Sequence, residues 1–60
     1  MDDKWKIVVN SDGKTYVVIA EDTIAATELL SDKIDRNKAI SFRYVERVVG
    51  TQPNKILSEA

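Results

Sequence analysis

Two runs rich in β-branched and aromatic residues, Lys4–Asn10 and Lys14–Ala20, flank the tripeptide Ser11-Asp12-Gly13. Asp-Gly is the dipeptide best suited to the two-residue type I′ turn, whose central residues both need positive φ and whose twist matches that of the strands it joins. The stretch therefore predicts a β-hairpin, and the turn fixes its register. With Asp12-Gly13 at the tip, Ser11 pairs with Lys14, Val9 with Tyr16, Ile7 with Val18 and Trp5 with Ala20. Paired residues point to the same side of a sheet, and the side alternates along each strand. Trp5, Ile7, Val9, Tyr16, Val18 and Ala20 then share one uncharged face. Lys4, Lys6, Val8, Asn10, Thr15, Val17 and Ile19 share the other. The first face is the expected core. A three-residue tip, Ser11-Asp12-Gly13, is the alternative, and it would set Trp5, Ile7 and Val9 beside Thr15, Val17 and Ile19.

After Ala20 the pattern changes. Asp22 or Thr23 is placed to cap a helix by accepting a hydrogen bond from a free backbone N–H, and Glu21 and Asp22 suit the positive end of the helix dipole. Ala26, Leu30 and Ile34 recur at i, i+4 and i+8 with Leu29 beside them, which predicts a helix over Thr23–Asp35 with one apolar stripe. Ile24 lies off that stripe, in the first turn, where end effects could still bury it. Asp35–Lys38 reads as the exit loop, with Asn37 the candidate for a left-handed residue. A third strand is predicted over Ala39–Val49. Ile40, Phe42, Tyr44 and Val48 alternate onto its core side, with Glu46 either at the core margin or re-aimed by a bulge. Gly50–Asn54 reads as a turn. Lys55-Ile56-Leu57 is either a fourth edge strand folding back on strand three or a helical turn.

The expected fold is α+β: a ββαβ chain with a three- or four-stranded, mainly antiparallel sheet and one helix packed on one face. The expected sheet order is 2-1-3, which makes neighbouring strands antiparallel; strand three beside strand two is the rival. The expected core beneath the helix is Trp5, Ile7, Val9, Val18, Leu30, Phe42 and Tyr44. Residues 1–60 form a single domain, with 1–3 and 58–60 expected to fray.

Sixty residues bury only about 60% of the surface their unfolded chain exposes, which leaves small domains marginal unless disulfides, metal or oligomerisation assist. The chain has no Cys and no His, so disulfides and the usual zinc ligands are ruled out. The missing Cys fits a cytoplasmic setting. The formal net charge of −1 gives no global pull toward nucleic acid, and no apolar run suggests a signal peptide or membrane span.

Candidate chemistry is sparse. Asn10-Ser11-Asp12-Gly13 lacks the alternating ligands and the later Glu of a calcium loop, since Ile19 stands where that Glu is needed. Glu21-Asp22 reads as a cap, and Asp32 with Asp35 as a solvated helix face, rather than as acid–base pairs. Ser11, Thr15, Thr27 and Ser41 have no His to act as base. Gly13 and Gly50 are too few to cradle a phosphate. No catalytic, cofactor or metal site is expected, and the chain is read as a non-enzyme.

Surfaces remain. The face away from the helix carries Val8, Val17, Ile19, Val45 and Val49, an apolar set rimmed by charge and thus a candidate interface. The leading expectation is a protein–protein interaction module, an adaptor or inhibitor of a larger partner, that forms a homodimer through this open face. The alternative is a nucleic-acid-binding module using Lys4, Lys6, Arg43 and Arg47 on a basic sheet face. Its weakness is that Trp5, Tyr16, Phe42 and Tyr44 fall on the core side, whereas sheets that read single strands stack bases on exposed aromatics. A structural component of a larger assembly is the third possibility.

Overall fold

The computed structural model describes residues 3–50 and 52–59. The elements are β1 (Lys4–Ser11), β2 (Lys14–Ala20), α1 (Thr23–Leu29), β3 (Ile40–Val48) and β4 (Lys55–Glu59). They build a four-stranded sheet in the order β3-β1-β2-β4, with each neighbouring pair antiparallel.

The hairpin follows its turn chemistry. Asp12 has φ 51° and Gly13 φ 77°, as a type I′ turn demands. The seven pairs of β1 and β2, from Ser11–Lys14 to Trp5–Ala20, are those the Asp-Gly tip dictates. β3 lies on the far side of β1, so β2 and β3 run the same way with β1 between them.

The fourth strand corrects the expected topology. Residues 55–59 pair with β2, not with strand three, and include Ser58 and Glu59, which were expected to fray. The fraying expected at Met1, Asp2 and Ala60 lies outside the described residues. β3 ends beside Lys4, the first residue of β1, and β4 begins beside Ile19 near the end of β2. The two ends to be joined lie on opposite edges of the sheet, with β1 and β2 between them. Crossing three strand spacings takes about 14 Å, within reach of a connection of this length. Lys4 Nζ ties it down by donating to Asn54 Oδ1 at 2.8 Å.

The helix is also shorter than its apolar stripe suggests. Asp22 caps it, its Oδ1 accepting from the Ala25 N–H at 2.8 Å. It ends at Leu29, and Leu30 is the C-cap with φ −102° and ψ 15°. Ser31 and Asp32 are poor helix formers, and no basic residue in the last turn offsets the dipole there. A separate turn follows, in which the Lys33 and Ile34 N–H groups both donate to the Leu30 carbonyl, at 2.8 and 3.0 Å. That turn keeps the stripe on one side: Ala26, Leu30 and Ile34 are all buried. Asn37 does not take the left-handed conformation; its N–H donates to Asp35 Oδ1 at 2.9 Å instead.

The core lies between α1 with its trailing turn and the helix side of β1 and β2. Ile7, Val9, Val18, Ala20, Ala26 and Leu30 have no exposure, and Tyr16 and Ile34 are buried with them. Trp5 and Phe42 are only partly buried against this cluster, and Tyr44 is 44% exposed, contrary to the expected core. The reason is reach. The short helix packs on β2 and β1, and β3 is held chiefly through β1. No helix among the described residues is long and apolar enough to cross a membrane.

Candidate interaction surfaces of the sheet

β3 carries the local feature that decides which residues share a surface. Its register against β1 shifts by one residue: Ile7 pairs with Tyr44, but Lys6 pairs with Glu46. Val45 is thus the extra residue of a β-bulge, and everything beyond it changes side. Glu46 moves to the outer face, opposite Lys6, at a Lys6 Nζ–Glu46 Oε1 distance of 3.9 Å. Arg47 moves to the helix side, opposite Trp5, and Val48 moves to the outer face, opposite Lys4. An inward Glu46 is avoided by this one-residue insertion.

The bulge divides the basic set. Lys4, Lys6 and Arg43 stay on the outer face, and Arg47 does not. Arg47 binds Asp3 Oδ2 at 2.6 Å, and that hydrogen bond and charge hold its guanidinium above its ordinary pKa. Lys6 faces Glu46 and Lys4 is engaged by Asn54. Among the described residues, Lys4 and Arg43 have no acidic partner in contact, and Lys4 is held by the neutral amide of Asn54.

The apolar set is spread across the sheet rather than gathered. Val8 and Val17 pair at its centre and are half-buried. Ile19 is only 6% exposed; it lies on an inner strand, paired with Lys6 on one side and Lys55 on the other. Val45 sits in the β3 bulge at 50% exposure, and Val49 lies just past β3 at 82%. Two exposed residues were not foreseen on any surface. Leu57 occupies a second one-residue bulge, in β4, and Tyr44 stands beside Trp5 with ring centroids 5.3 Å apart in an edge-to-face arrangement. Neither was legible from alternation alone, since a bulge leaves no fixed sequence mark and Tyr44 owes its exposure to the helix length.

The remaining chemistry is modest. A shallow cleft beside the hairpin tip is lined by Gly13, Lys14, Tyr16, Asp32, Lys33 and Glu59. Its strongest charges neutralise each other, with Lys33 Nζ 2.8 Å from Glu59 Oε1. Among the described residues no cluster of three or more acidic, His or Cys side chains is placed to hold a metal ion. Glu21 and Asp22 flank the helix start, and Asp32 and Asp35 lie exposed in the loop beyond it. Compared with known proteins, the chain matches no protein family, no curated protein and no solved structure.

Proposed function

We propose that this chain is a non-enzymatic protein–protein contact module that self-associates through its open sheet and serves as an adaptor or inhibitor of a larger partner. The observation that carries this reading is the lopsided cover of the sheet. A seven-residue helix packs chiefly on β1 and β2, the outer face carries no second layer among the described residues, and the edge strands are only partly covered, through Ile40, Phe42 and Ile56. A chain of this size gains little from its own core, and burial against another copy supplies what disulfides and zinc cannot. Within the apolar set, Ile19 has little area left to bury, Val8 and Val17 have some, and Val45 and Val49 have most. The surface available to a partner thus leans toward β3.

Sedimentation equilibrium over a range of concentrations tests the reading. The expected result is a concentration-dependent dimer. A chain that stays monomeric up to about millimolar, the weak end of useful association, overturns self-association. The nucleic-acid alternative is less well supported, because Arg47 leaves the basic face and two of the four cations are ion-paired. Binding to single-stranded DNA that strengthens steeply as salt is lowered would revive it.

A further inference from the structure

β3 is a nine-residue strand at the edge of the sheet, with β1 on one side and solvent on the other. Such an edge presents unpaired N–H and C=O groups and is a template for another strand. The bulge restricts what that strand can be. In an unbulged strand, residues three apart point to opposite faces. In β3, Arg43 pairs with Val8 and Glu46 with Lys6, and Val8 and Lys6 lie two apart on β1. Arg43 and Glu46 therefore share the outer face, and their backbone groups point the same way across the strand. Phe42 and Arg47, opposite Val9 and Trp5, share the helix side for the same reason.

We propose that two copies of this chain join edge to edge through β3, antiparallel about a two-fold axis at the bulge, with Arg43 of each copy opposite Glu46 of the other. The inference rests on the self-association reading above and names its geometry. A two-fold antiparallel pair requires opposed residues to match in face and in hydrogen-bonding direction. The bulge makes Arg43 and Glu46 such a match, and Phe42 and Arg47 the next one. Each copy supplies both charges, so the pairing is reciprocal. Tyr44 and Val45, 44% and 50% exposed in the single chain, then meet their counterparts at the axis. The result is a continuous sheet with both helices on one side.

Charge and a bulge ordinarily protect an edge from indiscriminate pairing. Here they exclude other strands and leave one register in which the charges are complementary. β4 offers no equivalent. It has five residues, and across its own bulge the outer-face residues are Lys55 and Ser58, which have no charges to match.

The experiment is a charge exchange read by sedimentation equilibrium and native mass spectrometry. Arg43→Glu alone and Glu46→Arg alone each set like charges opposite one another twice per dimer, and each is expected to weaken it by roughly tenfold or more. Mixing the two variants restores opposite charges at both contacts, so a mixed dimer of near wild-type affinity is expected to dominate. Both positions are solvent-exposed, and circular dichroism checks that each variant stays folded. Val17→Lys, on the centre of the outer face, is expected to leave the dimer intact. Single variants that dimerise as tightly as wild type, or a mixture that fails to associate, overturn the edge geometry while self-association stands. Loss of the dimer in Val17→Lys alone points to face-to-face packing and likewise overturns it. A monomeric wild-type chain removes both readings. Hydrogen exchange on the unmodified chain is independent of any variant: outward amides of β3 should slow as concentration rises, and concentration-independent exchange overturns the proposal.

Discussion

Ile7 and Tyr44 are direct partners on neighbouring strands and share the helix side of the sheet, yet Ile7 has no exposure and Tyr44 keeps 44%. Each sits in a strand of good β-formers. What separates them is the layer above. α1 and the turn after it seal β1 and β2, whereas β3 is tied mainly to its one neighbour, β1. The molecule has a closed half, built for stability, and an open half whose side chains are held in place without being covered. Burial of apolar surface contributes about 25 cal/mol per Å², so the closed half provides most of the stability. The open half keeps large side chains such as Tyr44 and Val45 exposed.

The sharpest way to break this comparison is inside the closed half. Leu30 has no exposure and stands where the helix gives way to the following turn. Leu30→Ala should cost about 2–5 kcal/mol, enough to unfold much of a domain this small. Urea denaturation measures it, and a loss below about 1 kcal/mol would mean that the core is not centred on this residue.

The turn that sets the register comes next. A Cβ at Gly13 would meet nothing within 4 Å, so any penalty there belongs to the backbone at φ 77°. Gly13→Val should lose about 1–2 kcal/mol, and Gly13→Asn less, because Asn tolerates the left-handed region. Equal melting temperatures for the two variants would separate the cost from the turn type.

Tyr44 then sharpens the contrast. Tyr44→Ala removes the edge-to-face contact with Trp5 and part of a half-exposed ring, at about 0.5–1.5 kcal/mol. Ile7→Ala on the opposed strand should cost about 2–5 kcal/mol. Both are best measured at micromolar concentration. If the two losses were equal, β3 would be covered in solution by something the single chain does not provide.

How much of this could be read from the sequence followed the same division. The hairpin was legible residue by residue because Asp12-Gly13 is a local signal and register follows from it. The stripe Ala26, Leu30, Ile34 was legible as burial though not as one helix, since a helix followed by a turn that bonds Ile34 N–H to the Leu30 carbonyl preserves the same spacing. The bulge at Val45 was readable only as a question posed by Glu46. Its answer moved Arg47 to the other side and divided the candidate basic face. The partner of β4 was not legible, because choosing β2 over β3 depends on the path across the sheet, which no short stretch encodes. The outer-face placement of Val8, Val17 and Ile19 followed from the hairpin register, but the near-complete burial of Ile19 did not, and the exposure of Val45 and Val49 comes from a bulge and a strand end.

The smallest expected effect lies where β4 meets the closed half. Lys33 and Glu59 form an ion pair at 2.8 Å, with the lysine side chain 35% and the carboxylate side chain 48% exposed. The hydrogen bond from Lys33 to Glu59, then the charge of Glu59, hold the lysine above its ordinary pKa, against a small opposing effect of burial. A group whose pKa is raised by folding stabilises the fold while it is protonated. That contribution is complete below the unfolded lysine pKa and is lost as pH rises through the folded one. It should therefore be constant through neutral pH and fade only in the alkaline range. Glu59→Gln should lower the melting temperature slightly at pH 7, and less in high salt, as exposed pairs are screened. Melting curves of the two chains should converge as pH climbs past the lysine range. A gap that persists there, or that ignores salt, would assign the effect to the pairing of β4 with β2 rather than to charge.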